Sequence, residues 1–297
     1  MTGLTEFNVT IFGISLKLNR IAFSIGGIDV YWYGIIIALG FLLAIVYGWK
    51  NAKRFNIDVD RMADVVLVTA PMAVLGARAY FLIFYGESFS TFFNFKEGGL
   101  AIYGAIIVAF IVGPLMCKLR KIKILDMLDL GALGFLIGQA VGRWGNFFNQ
   151  EAFGSATGSS WFGMTSENVT YVLGDAALAH PCFLYESLWC VLGFILLHKL
   201  SKNRKFSGQV FLSYGVWYGF GRAIIEGFRT DSLYLGSMRI SQVISIVACV
   251  VCVALIFVLS AKQKEKAKEE TVYESQFITD DVKTEETQEE TEQADEE

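Results

Sequence analysis

Three short stretches of this 297-residue chain place ionisable side chains inside otherwise apolar sequence. The densest is Gly142-Arg143-Trp144-Gly145-Asn146-Phe147-Phe148-Asn149-Gln150-Glu151, with Gly154 close behind. A second sets Tyr218, Arg222, Glu226 and Arg229 at steps of four, four and three, which is one face of a helix. The third is His180-Pro181-Cys182-Phe183-Leu184-Tyr185-Glu186, where Pro181 suits a helix start and puts Glu186 in the first turns. Arg78 is also embedded in an apolar run, beside Tyr80 and Tyr85, and Asp129 sits near the start of another. A charge in hydrocarbon is costly unless paired or hydrated, so each of these residues needs a partner or a ligand.

Structural readings stand beside the chemical ones. Arg222 and Glu226 can be an i,i+4 ion pair that pins helix packing. Gly142-Arg143-x-Gly145-Asn146 can be a helix end, with Gly and Asn left-handed and Arg snorkelling to the headgroups. His180 can be a hydrogen-bonded interfacial residue, and Tyr31, Trp32 and Tyr33 an aromatic belt. Snorkelling leaves Asn146, Asn149 and Glu151 unexplained, and Arg229 on the same face as Arg222 favours an anion site. Arg suits that task because its planar fork pairs bidentately with phosphate and stays charged. At membrane depth the available anion is a phospholipid headgroup. No nucleotide-binding loop, His-rich metal site or serine elbow is present, so an enzyme here works by electrostatics and proton transfer, without metal or cofactor and without a nucleic-acid partner.

The elements that position these residues are membrane helices. Hydrophobic residues are 54% of the chain and charged ones 18%, too apolar for an ordinary soluble domain. Apolar runs cover about 31–49, 62–86, 98–117, 125–145, 182–198, 208–228 and 238–260, each near the roughly 20 residues that cross hydrocarbon. Lys50, Lys53, Arg54 and Arg61 follow the first run; Lys118, Arg120, Lys121 and Lys123 the third; Lys199, Lys202, Arg204 and Lys205 the fifth; Lys262, Lys264, Lys266 and Lys268 the seventh. Basic loops stay cytoplasmic, which predicts an all-α polytopic protein of seven spans with its N-terminus outside and C-terminus inside. Gly134, Gly138 and Gly142 form a small-residue stripe that lets helices approach closely.

Residues 1–30 carry short alternating pieces around Gly26 and Gly27 that fit small strands or an external interfacial segment. Residues 146–181 read as an external head between spans four and five, leaving 31–260 as the seven-helix body. The stretch 261–297 is acidic and nearly devoid of apolar residues, so a disordered cytoplasmic tail is expected. Without Lys262–Glu297 the formal charge turns from −4 to a body of 20 basic and 15 acidic residues. Cys117, Cys182, Cys190, Cys249 and Cys252 lie scattered in apolar runs and read as inert, the Cys249-x-x-Cys252 pair included. Asn-Val-Thr at Asn8 and at Asn168 is read as chance.

Over residues 22–260 the chain resembles bacterial prolipoprotein diacylglyceryl transferases. The resemblance rests on Gly142-Arg143-x-Gly145-Asn146-Phe147-x-Asn149-x-Glu151-x-x-Gly154, His180-Pro181-x-x-Leu184-Tyr185-Glu186 and Tyr218-Gly219-x-x-Arg222-x-x-x-Glu226-x-x-Arg229. Trp32-Tyr33-Gly34, Gly76-x-Arg78 and Gly98-Gly99-Leu100 occur in the expected order. Tyr103 stands where many members have a histidine, so a mechanism using that histidine as base does not transfer unchanged. The resemblance implies transfer of an sn-1,2-diacylglyceryl group from phosphatidylglycerol to the lipobox cysteine of a prolipoprotein. The product is a thioether and the by-product glycerol 1-phosphate, in the first step of lipoprotein maturation in a bacterial cell membrane. Under it, Arg143 and Arg222 hold the phosphate, Asn146 donates to it or to glycerol, and Glu151 and Glu226 orient the Arg residues. Tyr33, Arg78, Asn149, Gly154, His180 and Tyr218 line the lipid site. For the base, Tyr103, Glu151, His180 and a bound water stay open. A transporter would use the same charges without forming product, but no internal repeat is visible, and a pure scaffold would leave the buried charges without a task.

Overall fold

The structure, a computed structural model, describes residues 5–94, 98–175, 177–230, 234–235 and 238–295. In hydrocarbon a backbone must satisfy its own polar groups, so the apolar runs are helices. Six are long and apolar enough to cross a membrane: Trp32–Phe55, Val59–Tyr85, Ile102–Leu119, Ile124–Asn149, Cys182–Lys202 and Ile240–Lys266. They contain α1 (Trp32–Asn51), α2 (Val59–Tyr85), α3 (Ile102–Leu119), α4 (Ile124–Asn149), α6 (Cys182–Lys202) and the first half of α8 (Ile240–Asp295), with the short α5 (Glu167–Leu173) between α4 and α6. The protein is a multi-pass membrane protein. The run expected as the sixth span is α7 (Gln209–Glu226), an 18-residue helix packed against α4, α6 and α8. It is less apolar than the other six because Gln209, Arg222 and Glu226 lie within it. The residues that singled it out for chemistry lower its hydropathy.

The glycine stripe of α4 is used against α1. A Cβ on Gly145 would meet the Tyr33 ring, one on Gly142 would meet Ile37 Cδ1 at 3.1 Å, and one on Gly134 would touch Ala44. From the other side, a Cβ on Gly40 would lie 3.3 Å from the Gly138 carbonyl. The pairs 33/145, 37/142, 40/138 and 44/134 fix one antiparallel register and bring Tyr33 to the Arg143 end of α4. Gly76 and Gly104 do the same for α2 and α3, where a Cβ on Gly104 would overlap the Gly76 backbone.

Two buried clusters close the ends of the bundle. At one end Phe55, Ile57, Met62, Cys117, Ile122, Leu197 and Val210 gather under the loops rich in Lys and Arg. Asp129, fully buried there, accepts from Arg204 and from the backbone N–H groups of Gly208 and Phe211, all at 2.8 Å, and so caps the start of α7. At the other end Phe7, Val9, Phe147, Phe153, Met164, Val169, Ala179 and Phe183 form a second core.

This second core is built partly from strands, which amends the all-α expectation. β1 (Glu6–Ile11) pairs with β2 (Ile14–Asn19) and also with β5 (Met164–Thr165), in the order β2-β1-β5. β3 (Ile21–Ile25) and β4 (Ile28–Tyr31) form a separate hairpin whose Gly26-Gly27 turn has both φ positive, the geometry a two-residue hairpin prefers. Residues 6–19 therefore share a sheet and a core with the 146–181 region, two segments that the sequence reading had kept apart. A further short pair, β6 (Tyr234–Leu235) and β7 (Met238–Arg239), precedes α8. The tail expected to be disordered continues the α8 backbone helix to Asp295. Low apolar content was the ground for expecting disorder. After Gly236 the chain has neither Gly nor Pro and is rich in Glu, Lys, Gln and Ala, which favour helix.

Candidate active site

Glu186 organises the polar cluster. It lies one turn into α6, is 4% exposed, and receives three guanidinium groups from three elements. Arg143 Nη2 of α4 is 2.5 Å from its Oε2, Arg222 Nη1 of α7 is 2.8 Å from Oε1, and Arg229 Nη1 beyond α7 is 3.1 Å from Oε1. Glu226 binds Arg222 Nη2 at 2.7 Å, which is the i,i+4 pair expected from the spacing. Its backbone carbonyl accepts from Arg239. Among the described residues, the three guanidiniums that meet Glu186 exceed the carboxylates of Glu186 and Glu226 by one positive charge. Arg143 and Arg222 keep 21% and 17% of their side chains accessible, so the excess charge has a face open to a ligand.

The end of α4 supplies the second part. Helix persists through Asn149, so Gly145 and Asn146 are not a left-handed cap; the residue that ends the helix in αL is Gln150, at φ 52°. Ala152 is also left-handed, at φ 56°, so Glu151 is presented between two non-glycine residues in a sparsely populated backbone state. Glu151 Oε1 accepts from Asn146 Nδ2 at 2.9 Å and from Asn149 Nδ2 at 3.2 Å. Arg143 Nη1 reaches Asn146 Oδ1 at 3.5 Å, the outer limit of a hydrogen bond. Glu151 thus orders the two asparagines, while the carboxylate on Arg143 is Glu186, not Glu151 as expected. Gln150 is itself held from behind, its carbonyl accepting from the buried Asn168 at 2.9 Å. That bond gives the second Asn-Val-Thr triplet a structural role.

Arg20, between β2 and β3, also serves this turn. Its Nη2 donates to the Asn149 carbonyl at 2.7 Å and its guanidinium lies 4.5 Å from the Phe7 ring centroid. Burial pulls it below the ordinary guanidinium value, while the Glu151 carboxylate acts in the opposite sense. Gly154 sits where three segments cross: its N–H donates to the His180 carbonyl at 2.8 Å and it bridges to Arg229. A Cβ there would lie 2.7 Å from His180 Cβ, 2.9 Å from Cys182 Sγ and 2.9 Å from the Phe228 carbonyl. His180 packs on Phe228 with ring centroids 4.8 Å apart, and its Nδ1 meets the Tyr185 hydroxyl at 3.1 Å. Burial moves its pKa below the usual histidine value.

Other expected site residues fall elsewhere. Arg78 is buried, and its guanidinium donates to the carbonyls of Thr91, Phe92, Gly98 and Gly99. It is thereby committed to holding the α2–α3 connection. Tyr103 begins α3, is 60% exposed, and has its ring 6.2 Å from that of Tyr80. Among the described residues no hydrogen bond or ion pair joins it to the Glu186 cluster. Tyr218 stacks on Tyr214 below Arg222, with centroids 5.6 Å apart. Tyr33 covers Gly145, one residue from Asn146.

The geometry can be set beside known proteins. A family model described as prolipoprotein diacylglyceryl transferase matches residues 20–258. The chain belongs to this family. Within the prolipoprotein diacylglyceryl transferases it is similar to the phosphatidylglycerol--prolipoprotein diacylglyceryl transferase of Clostridium novyi, 42% identical over 259 residues, which is 85% of this chain and 100% of the relative. The transferase of the same name from Finegoldia magna is 44% identical over 243 residues, 80% of this chain and 94% of the relative. That of Clostridioides difficile is 40% identical over 257 residues, 85% and 100% respectively. A diacylglyceryl transferase family membership makes the protein a transferase, and residues 259–297 lie beyond the family match. Glu186 and Arg229, both noted in the sequence as embedded charges but given no place in the expected site, and Arg20, not noted at all, are contributors that the structure adds. A signal existed for Glu186: a carboxylate inside an apolar helix needs a cation, and Arg143, Arg222 and Arg229 outnumbered the carboxylates assigned to them. None existed for Arg20, which is 129 residues from the carbonyl it binds.

Proposed function

We propose that the protein transfers the sn-1,2-diacylglyceryl group of phosphatidylglycerol to the thiol of a prolipoprotein lipobox cysteine, as the names of its relatives indicate for them. The observation that carries this reading is the shared Glu186 carboxylate, which holds Arg143 and Arg222 close enough to contact one phosphate. The substrate sulfur attacks the glycerol carbon that bears the phosphate ester. The carbon–sulfur bond forms as the carbon–oxygen bond breaks, the electron pair leaves on oxygen, and glycerol 1-phosphate departs as the thiol proton is lost.

Charge grows on the phosphate oxygens along that path, so fixed guanidinium donors bind the transition state more tightly than the lipid. Each such donor is worth about 2.7–4 kcal/mol. The excess positive charge of the cluster also favours thiolate, the reactive form of a thiol whose reference pKa is about 8.5. Asn146 gives one amide N–H to Glu151, and in this reading its second N–H donates to the phosphate or the departing glycerol. Gly154 packs on His180 and Cys182 where α6 begins, Tyr33 covers Gly145, Asn149 binds Glu151, and Tyr218 lies four residues before Arg222 on α7; these residues complete the proposed lipid site.

The same reading makes α7 a seventh span, packed against α4 and α6, with Glu186 of α6 the partner that Arg222 requires. Basic loops on one side then set the N-terminus and the sheet-bearing head outside a bacterial cytoplasmic membrane, with α8 ending inside. The test is incubation of detergent-solubilised protein with phosphatidylglycerol and a lipobox peptide. A peptide heavier by one diacylglyceryl group through a thioether is expected, and about 100-fold less of it with Arg143→Ala. Absence of that product from the wild-type protein would overturn the reading, and near wild-type turnover by Arg143→Ala would remove Arg143 from it.

A further inference from the structure

We infer that Trp189 and Trp217 are positioning residues for the phosphate site, a role that rests on the function proposed above. They form a reciprocal clasp across α6 and α7. Trp189 Nε1 donates to the Trp217 carbonyl and Trp217 Nε1 donates to the Trp189 carbonyl, both at 3.0 Å. The two indoles stack with centroids 4.2 Å apart and planes 12° from parallel. Each ring also occupies space that a glycine on the opposite helix leaves free. A Cβ on Gly221 would lie 2.1 Å from Trp189 Nε1, and one on Gly193 would lie 2.3 Å from Trp217 Nε1.

Carbonyls inside a helix already accept from their own helix, so each clasp bond uses the second lone pair. The donors run in both directions between antiparallel helices, and a slide along the axis lengthens both bonds together. One residue of slip is about 1.5 Å, enough to lose both bonds at once. Burial of apolar surface by itself does not discriminate registers in lipid, whose tails are as apolar as leucine; the indoles seated against Gly193 and Gly221 and their two N–H bonds do.

The register matters because of what lies one turn further along. Glu186 is three residues before Trp189 on α6, and Arg222 follows Gly221 on α7. The same axial offset that closes the clasp sets Arg222 2.8 Å from Glu186, and Arg143 depends on the other oxygen of that carboxylate. Among the described residues neither tryptophan bonds to the charged cluster itself. Their effect passes through the place at which Glu186 and Arg222 meet. A misplacement of about 1 Å in catalytic groups can cost about 100-fold in rate.

The test uses full-length protein carrying Trp189→Phe, Trp217→Phe or both, each keeping a ring but not the N–H donor. Turnover of a lipobox peptide is measured on folded, monodisperse protein. A kcat about tenfold or more below wild type is expected for either single variant, with the peptide KM within about twofold. The double variant should fall little further, since the bonds act as one unit. In parallel, nitroxides at Leu196 and Ile224, both lipid-exposed and about 20 Å apart along the axis, read the register directly. Their distance should shift or broaden by about 1.5 Å in the Phe variants. Benzothienylalanine at position 189 preserves the indole shape without the N–H and should reproduce the loss; recovery of wild-type kcat would trace the Phe effect to a gap and overturn the proposal. Unchanged kcat overturns the proposal, and so does a lower kcat at an unchanged nitroxide distance. If wild-type protein forms no product, the functional reading fails instead, and the nitroxide distance alone decides whether the clasp sets the register.

Discussion

Replacing Glu186 by Gln keeps the volume of the side chain and removes the charge on which three guanidiniums converge. Of the carboxylates described in this cluster Glu226 then remains, so among the described residues the excess rises from one positive charge to two. An amide can still accept from one guanidinium through its oxygen, but its NH2 group faces another donor. Breaking a buried pair by neutralising one partner costs about 3–5 kcal/mol, here expressed as a lower thermal midpoint in detergent. For catalysis, the change releases the grip on Arg143 and leaves Arg222 to Glu226. Loss of one well-aimed donor corresponds to about 10²–10³ in kcat. Glu186→Gln should therefore lower kcat for peptide lipidation by about 100-fold. The KM for phosphatidylglycerol should not rise, because a more positive cluster attracts an anionic headgroup at least as well. Initial rates by mass spectrometry at varied lipid concentration separate the two quantities. Glu186→Asp, shorter by one methylene, should fail similarly because it cannot span three partners. A Glu186→Gln enzyme within about threefold of wild-type kcat would refute the argument that this carboxylate organises the site.

Three further outcomes follow from the geometry. Gly154→Ala places a methyl group against His180, Cys182 and the Phe228 carbonyl, and strain of about 1–3 kcal/mol should appear as a lower thermal midpoint together with reduced turnover. Arg78→Met leaves the carbonyls of Thr91, Phe92, Gly98 and Gly99 without their charged donor. Each charged bond is worth about 1.5–3 kcal/mol, so limited proteolysis should cut between residues 86 and 101, with kcat hurt less than by Arg143→Ala. His180 has a folded pKa below its unfolded value of about 6.5, so the unfolded chain binds more protons in acid. Stability from its neutral form is therefore complete above pH ~6.5 and lost as pH falls through the folded value. Thermal midpoints from pH 7.5 to 5 should show this loss in wild type and a flatter profile in His180→Asn.

Much of the body could be read from the residues. Apolar length alone specifies helices in lipid, because water is absent to satisfy any other backbone. The glycine stripe at 134, 138 and 142 announced a close helix contact, and the steps among Tyr218, Arg222 and Glu226 announced one polar face. Which helix the stripe meets, and in what register, was not legible, since α1 carries its matching Ile37, Gly40 and Ala44 about a hundred residues away. The tail shows the converse limit: low apolar content says that a segment has no core to join, but does not say whether its backbone is helical.

The types of group available for chemistry were a property of the sequence: guanidiniums, carboxylates and amides embedded in apolar segments, where each charge must be matched. Their pairing was decided only in three dimensions. Arg143 pairs with Glu186 on another helix in place of nearby Glu151, Arg78 is spent on loop carbonyls, and Arg20 arrives from the N-terminal strands. Local spacing governs contacts within one helix, whereas contacts between helices depend on axial register. That register is set by glycine gaps and by the Trp189–Trp217 bonds, neither of which can be assigned a partner until the chain is folded.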